Sequence, residues 1–91
     1  MPPNPQLFRF RTQAGHEVDL LLEDAAGRLV GIEVKASATA HSDDFKGLRV
    51  LATDTRKQFL RGIVLYLGNE SVAFGPNLHA VPLEAIWKTS H

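Results

Sequence analysis

Glu17-Val18-Asp19-Leu20-Leu21-Leu22, followed after a short polar connection by Leu29-Val30-Gly31-Ile32-Glu33-Val34-Lys35, decides how this chain folds. Side chains on a strand alternate between two faces, so Glu17 and Asp19 are predicted on one face and Val18, Leu20 and Leu22 on the other. In the second run Glu33 and Lys35 point together, opposite Ile32 and Val34. The connection Glu23-Asp24-Ala25-Ala26-Gly27-Arg28 has the polar and glycine content of a hairpin loop. Paired as a hairpin, the two strands bring Asp19, Glu33 and Lys35 onto one surface. Charges at the ends of apolar strands also arise from ordinary alternation between core and water, so the weight falls on what these three residues can do chemically.

Two carboxylates from neighbouring strands suit a hard divalent cation, which takes oxygen ligands and keeps several waters. Such an ion polarises a phosphate and acidifies a bound water, and a lysine beside it can offset charge that develops in the transition state. Asp19 followed by Glu33-Val34-Lys35 resembles the signature of the PD-(D/E)XK nuclease superfamily. The resemblance extends through Phe8-Arg9-Phe10-Arg11, Gly15-His16-Glu17-Val18-Asp19, Gly47-Leu48-Arg49-Val50-Leu51, Arg61-Gly62-Ile63-Val64-Leu65-Tyr66-Leu67-Gly68 and Ala80-Val81-Pro82-Leu83-Glu84-Ala85-Ile86-Trp87. Over nearly the whole chain these stretches are similar to a domain of unknown function that typically forms the C-terminal part of prokaryotic AAA-type ATPases.

The resemblance implies a nuclease-like fold. It assigns magnesium or manganese to Asp19, Glu33 and the Val34 carbonyl, a water-positioning role to Lys35, and an AAA-type ATPase, upstream or separate, as partner. Folds of this type usually place a helix before the first strand, and that helix often supplies another acid. There is no room for it here, so the expectation is a fragment or a naturally shortened copy. Glu17 is a candidate accessory acid, although a cross-strand pair with Arg9 or Arg11, worth about 0.2–1 kcal/mol, is the favoured reading.

Ninety-one residues, 44% of them hydrophobic, predict one small domain with one core. A domain of this size buries only about 60–65% of the surface its unfolded chain exposes, which makes a homodimer or a lost partner domain reasonable. Ten basic and ten acidic residues give a net charge of zero, so DNA binding would need a local basic patch. With no cysteine there is no disulfide framework, thiolate zinc site or thiol nucleophile. The four histidines show no metal-ligand spacing, Ser37 near His41 makes no triad, and no Walker-type loop is present. Neither a signal peptide nor an apolar stretch of membrane-spanning length is seen, so a cytoplasmic protein is expected.

Residues 1–6, with three prolines among the first five, read as an extended lead-in and 7–91 as the domain. Leu7–Arg11 is predicted as a strand, then a turn over 12–15, then the hairpin. Ser42 is the predicted N-cap of a helix running from Asp43 to about Phe59, with Phe45, Leu48, Ala52, Thr55 and Phe59 on its apolar face. Lys46, Arg49, Arg56 and Lys57 mark the opposite face, read either as a solvated surface or as a track for phosphates. Ile63–Leu67 reads as a central strand buried on both faces. Val72–Phe74 follows as a short strand and Leu78–Val81 as an edge strand, and Pro82 is placed at the start of a last helix, Leu83–Trp87.

The architecture expected is therefore α/β: a small PD-(D/E)XK nuclease-like domain with a mixed central β-sheet, a main helix and a short C-terminal helix. Two functions are open. One is a metal-dependent DNA endonuclease; the other is a non-catalytic module that binds DNA or a protein partner beside an ATPase.

Overall fold

The computed structural model describes residues 6–11 and 17–85, with side chains described from Val18 onward. The strands are β1 (Gln6–Arg11), β2 (Glu17–Glu23), β3 (Leu29–Val34), β4 (Phe59–Tyr66), β5 (Val72–Gly75) and β6 (Leu78–Pro82). A 3-10 turn, Ser42–Phe45, leads into α1 (Lys46–Thr55) between β3 and β4. All six strands form one sheet in the order β1-β2-β3-β4-β6-β5. The pairs β1/β2, β2/β3 and β5/β6 are antiparallel, whereas β3/β4 and β4/β6 are parallel. Parallel neighbours need a long crossover, and α1 supplies the one between β3 and β4. The α/β class and the mixed sheet are those expected from the sequence.

Two glycines set where α1 lies. Gly31 of β3 and Gly62 of β4 are partners in register, and both face the helix. A Cβ on Gly31 would stand 2.7 Å from Leu48 Cδ2 and 2.8 Å from Leu51 Cδ2; one on Gly62 would stand 3.2 Å from Leu48 Cβ. The missing side chains let α1 approach the sheet closely, so Phe45, Leu48 and Leu51 are fully buried against Val18, Leu21, Val64 and Ala80. Each large side chain removed from water in this way contributes about 1.5–3 kcal/mol.

Strand β2 departs from simple alternation. Phe8 pairs with Leu21 but Phe10 with Val18, so one residue of β1 spans both Asp19 and Leu20. This β-bulge resets the alternation. Val18 and Leu21 are buried, while Leu20 is turned outward and is 37% exposed, a correction to the grouping of Leu20 with Val18.

The face of the sheet away from α1 presents Leu22, Val30 and Arg61 in one row, Leu20, Ile32, Ile63 and His79 in the next, then Val34, Leu65 and Val81. Strand β4 is central, as predicted, but its burial alternates: Val64 and Tyr66 are buried, while Ile63 and Leu65 are only half-buried. Among the described residues α1 covers one face alone, so burial on both faces is not found.

The C-terminal half brings further corrections. α1 ends at Thr55, because Phe59 already pairs with Leu29 in the sheet. β6 lies between β4 and β5, not at the edge. Pro82 is the buried last residue of β6, not the first of a helix. It pairs with Tyr66 in a parallel ladder, which suits a residue with no N–H only at a strand end. Leu83 and Glu84 form a turn and Ala85 is helical; the rest of the expected last helix, residues 86–87, lies outside the described residues, as do 1–5 of the lead-in and the expected turn at 12–15.

Candidate functional site

Backbone pairing of β2 with β3 runs from Glu23↔Leu29 to Leu20↔Ile32. One residue further, side chains take over. The Asp19 N–H donates to Glu33 Oε1 at 3.0 Å, and the Val34 N–H donates to Asp19 Oδ2 at 2.9 Å. The two carboxylates thus clasp each other's strand, at the point where the bulge leaves Asp19 outside the regular ladder. Asp19 and Glu33 are both half-buried. A carboxylate has about four lone-pair positions, so the contact with the Val34 N–H does not exhaust Asp19.

Lys35 continues β3 by one position. Its N–H donates to Leu65 O at 2.8 Å, and the loop is tied back further on, where the Leu67 N–H reaches Ser37 O at 2.8 Å. The site therefore lies at the carboxyl ends of the parallel strands β3 and β4, where open α/β sheets place their ligands. The Lys35 side chain does not complete a triad with Asp19 and Glu33. Its Nζ donates to Asp44 Oδ1 at 2.6 Å, with the lysine 37% and the aspartate 13% exposed.

Asp44 is the functional-site residue that sequence reasoning treated only as a helix-start acid. Its Oδ2 accepts the His41 N–H at 2.7 Å, while its own N–H donates to His41 O at 2.9 Å. The first bond is the N3 half of a capping box and the second is the turn bond of the 3-10 segment; together they make His41, not Ser42, the N-cap. Burial pushes the Asp44 carboxyl upward, but the hydrogen bonds from Lys35 and His41, with the lysine charge, outweigh it and hold the group below its ordinary 3.8. The spacing His41-x-x-Asp44 was the available signal.

The basic face of α1 divides. The Arg49 guanidinium is a brace: Nη1 donates to Ser42 O at 2.8 Å, and Nη2 to Ser42 Oγ at 3.1 Å and Phe74 O at 3.3 Å. It also sits 5.9 Å from the centroid of the Phe45 ring, which stacks on Phe74. Lys46, Arg56 and Lys57 are exposed; the Arg56 Nε donates to Thr53 O at 3.3 Å. Glu17 pairs with Arg11 in the β1/β2 register, and its side chain lies outside the described set. A separate cleft of about 320 Å³, lined by Tyr66–Asn69, Leu83 and Glu84, includes neither carboxylate of the pair.

Among the described residues no group of three or more His, Cys, Asp or Glu is arranged to hold a metal. The donor set is the Asp19/Glu33 pair with the adjacent Val34 backbone. Two carboxylates and a carbonyl fit a hard cation that retains water and do not fit a thiophilic or imidazole-seeking one.

A mixed sheet, a helical crossover over two glycines and a carboxylate pair at the strand ends define a small α/β domain. The chain belongs to the family described as Domain of unknown function (DUF4143), whose pattern it matches over residues 2–86. No curated protein and no solved structure matches it. No helix among the described residues is long and apolar enough to cross a membrane.

Proposed function

We propose that the domain is a metal-dependent phosphodiesterase of nuclease type acting on DNA, with Asp19 and Glu33 as its metal-binding acids. The observation that supports this reading is the reciprocal clasp of Asp19 and Glu33, which brings together acids 14 residues apart in sequence. Magnesium or manganese, held by these two groups and the Val34 carbonyl, would supply charge neutralisation at a scissile phosphate and a more acidic water. The chain's own contributions are the fixed spacing of the two acids, through hydrogen bonds to each other's strand, and a lysine on the same side as Glu33. Lys35 would orient the attacking water after leaving Asp44. Lys46, Arg56 and Lys57 would contact the nucleic-acid backbone, and Arg49 would keep the start of α1 in place behind them.

The test is cleavage of supercoiled DNA in manganese by the wild-type chain and Lys35→Ala. Cleavage by the wild type only, with equal manganese binding in both, supports the assignment. Metal binding without cleavage in the wild type removes the catalytic reading.

A second reading has its own observation. The Lys35 ammonium is held by Asp44, not by the carboxylate pair, as expected of a nuclease-like module that binds DNA or a partner beside an AAA-type ATPase without cutting. Under it, Lys46→Glu with Lys57→Glu weakens DNA binding and reduces its salt dependence, and Lys35→Ala leaves binding unchanged.

A further inference from the structure

Carboxylates from two different elements can claim the Lys35 ammonium. Glu33 precedes it by two positions, on the same face of the sheet, and Asp19 is clasped to the intervening Val34 N–H. Asp44 comes from the 3-10 turn, whose Phe45 is buried in the core on that face. The fold gives the lysine to Asp44, at 2.6 Å, in a pair whose carboxylate is 13% exposed. Asp44 is set in place for this contact: its Oδ2 accepts the His41 N–H at 2.7 Å, and its Oδ1 is turned to the lysine. Capping needs only the first of these oxygens, so the cap does not account for the second.

An ammonium lodged on Asp19 and Glu33 would compete with the cation proposed there, because it would neutralise the acids that hold a divalent ion and repel the ion directly. We propose that Asp44 is a positioning residue that keeps Lys35 off the carboxylate pair and so leaves that pair to a divalent cation. This role rests on the reading of Asp19 and Glu33 as metal-binding acids, and adds to them a third acid that touches neither the ion nor a substrate. The charge of a bound ion favours the lysine's place on Asp44, so the ion and the Lys35–Asp44 pair support each other. A phosphate arriving beside the ion has the charge to draw the flexible lysine stem away from Asp44, and the ammonium is delivered only when the substrate is present.

Manganese titration of the 91-residue chain, followed by electron paramagnetic resonance, tests this in the wild type, Asp44→Asn, Lys35→Met and the double variant, with no need for cleavage. The side-chain amide oxygen in Asp44→Asn still accepts the His41 N–H, but the charge that holds the lysine is gone. The expected result is a manganese dissociation constant raised about fivefold or more. Lys35→Met alone should bind as the wild type does, and adding it to Asp44→Asn should restore wild-type affinity, which damage to the cap would not allow. If Asp44→Asn fails to fold by far-UV circular dichroism, Asp44→Ser, whose hydroxyl can accept the same N–H, replaces it in the single and double variants. Affinity unchanged by Asp44→Asn, a loss that Lys35→Met does not restore, or a Lys35→Met chain that binds more tightly than the wild type overturns the role of Asp44 and leaves the metal site standing. No saturable binding in the wild type overturns the metal site, and the role of Asp44 with it.

Discussion

The two ends of the β2–β3 hairpin carry similar charges and use them differently. At the turn, Asp24 accepts the Ala26 and Arg28 N–H groups and the Arg28 Nε, all within four residues, the last at 2.6 Å. Gly27, at φ +82°, takes the left-handed conformation that this tight connection needs. At the open end, Lys35 and Asp44 also meet at 2.6 Å, but they come from different elements, and Asp19 reaches Val34 across 15 residues. The turn end is closed by its own neighbours. The open end gathers acids and a lysine that only the assembled fold brings together, and there the aspartate is 13% exposed against 33% for Asp24. Equal ion-pair length is therefore no guide to role; the surroundings decide it.

The largest expected effect comes from the middle of the hairpin, where α1 pins both ends. Gly31→Val would drive a side chain into Leu48 and Leu51, and overpacking of this kind costs about 3 kcal/mol. Urea unfolding should show it, together with loss of order at both ends of the hairpin; a stable variant would mean that α1 does not hold the hairpin.

Next comes Asp44→Asn, which removes the Lys35 pair and weakens the cap on the 3-10 turn, for a loss of about 1 kcal/mol near neutral pH. The sign of its pH dependence follows from the depressed carboxyl. The stabilisation is present above the ordinary value of 3.8 and is lost as pH falls through the lower folded value. Unfolding curves of wild type and variant should therefore converge as pH is lowered from 6 towards 3. A gap that holds at acid pH would show that the charge is not what matters.

The smallest effect belongs to Asp24→Asn at the exposed turn. An exposed pair contributes little, so the unfolding midpoint should move less than for Asp44→Asn. A larger shift would reverse the ranking of the two ends.

Much of this was legible in the sequence. Alternation placed Glu33 and Lys35 on one side and Ile32 and Val34 on the other, and turn chemistry located the Glu23–Arg28 connection. The juxtaposition of Asp19 with Glu33 followed from pairing the strands. What was hidden lies where one pattern permits two answers. Leu20-Leu21-Leu22 offers an apolar residue at every position, so the bulge that sends Leu21 inward and Leu20 outward leaves no trace in hydrophobicity. The helical stripe continued to Phe59 because a phenylalanine suits a helix face as well as the first position of β4. Ile63–Leu67 looked doubly buried because aliphatic residues on an open face read like those of a core. The hairpin alone directs Lys35 towards the carboxylates, because its contact, Asp44, lies beyond the hairpin.

Whether the paired Asp19 and Glu33 form a cation site is tested most directly by a manganese titration followed by electron paramagnetic resonance. Wild type, Asp19→Asn and Asp24→Asn would be compared at one ionic strength. Saturable binding in the wild type and in Asp24→Asn, lost in Asp19→Asn, is the expected result. No binding in the wild type, or binding that survives Asp19→Asn unchanged, would contradict it.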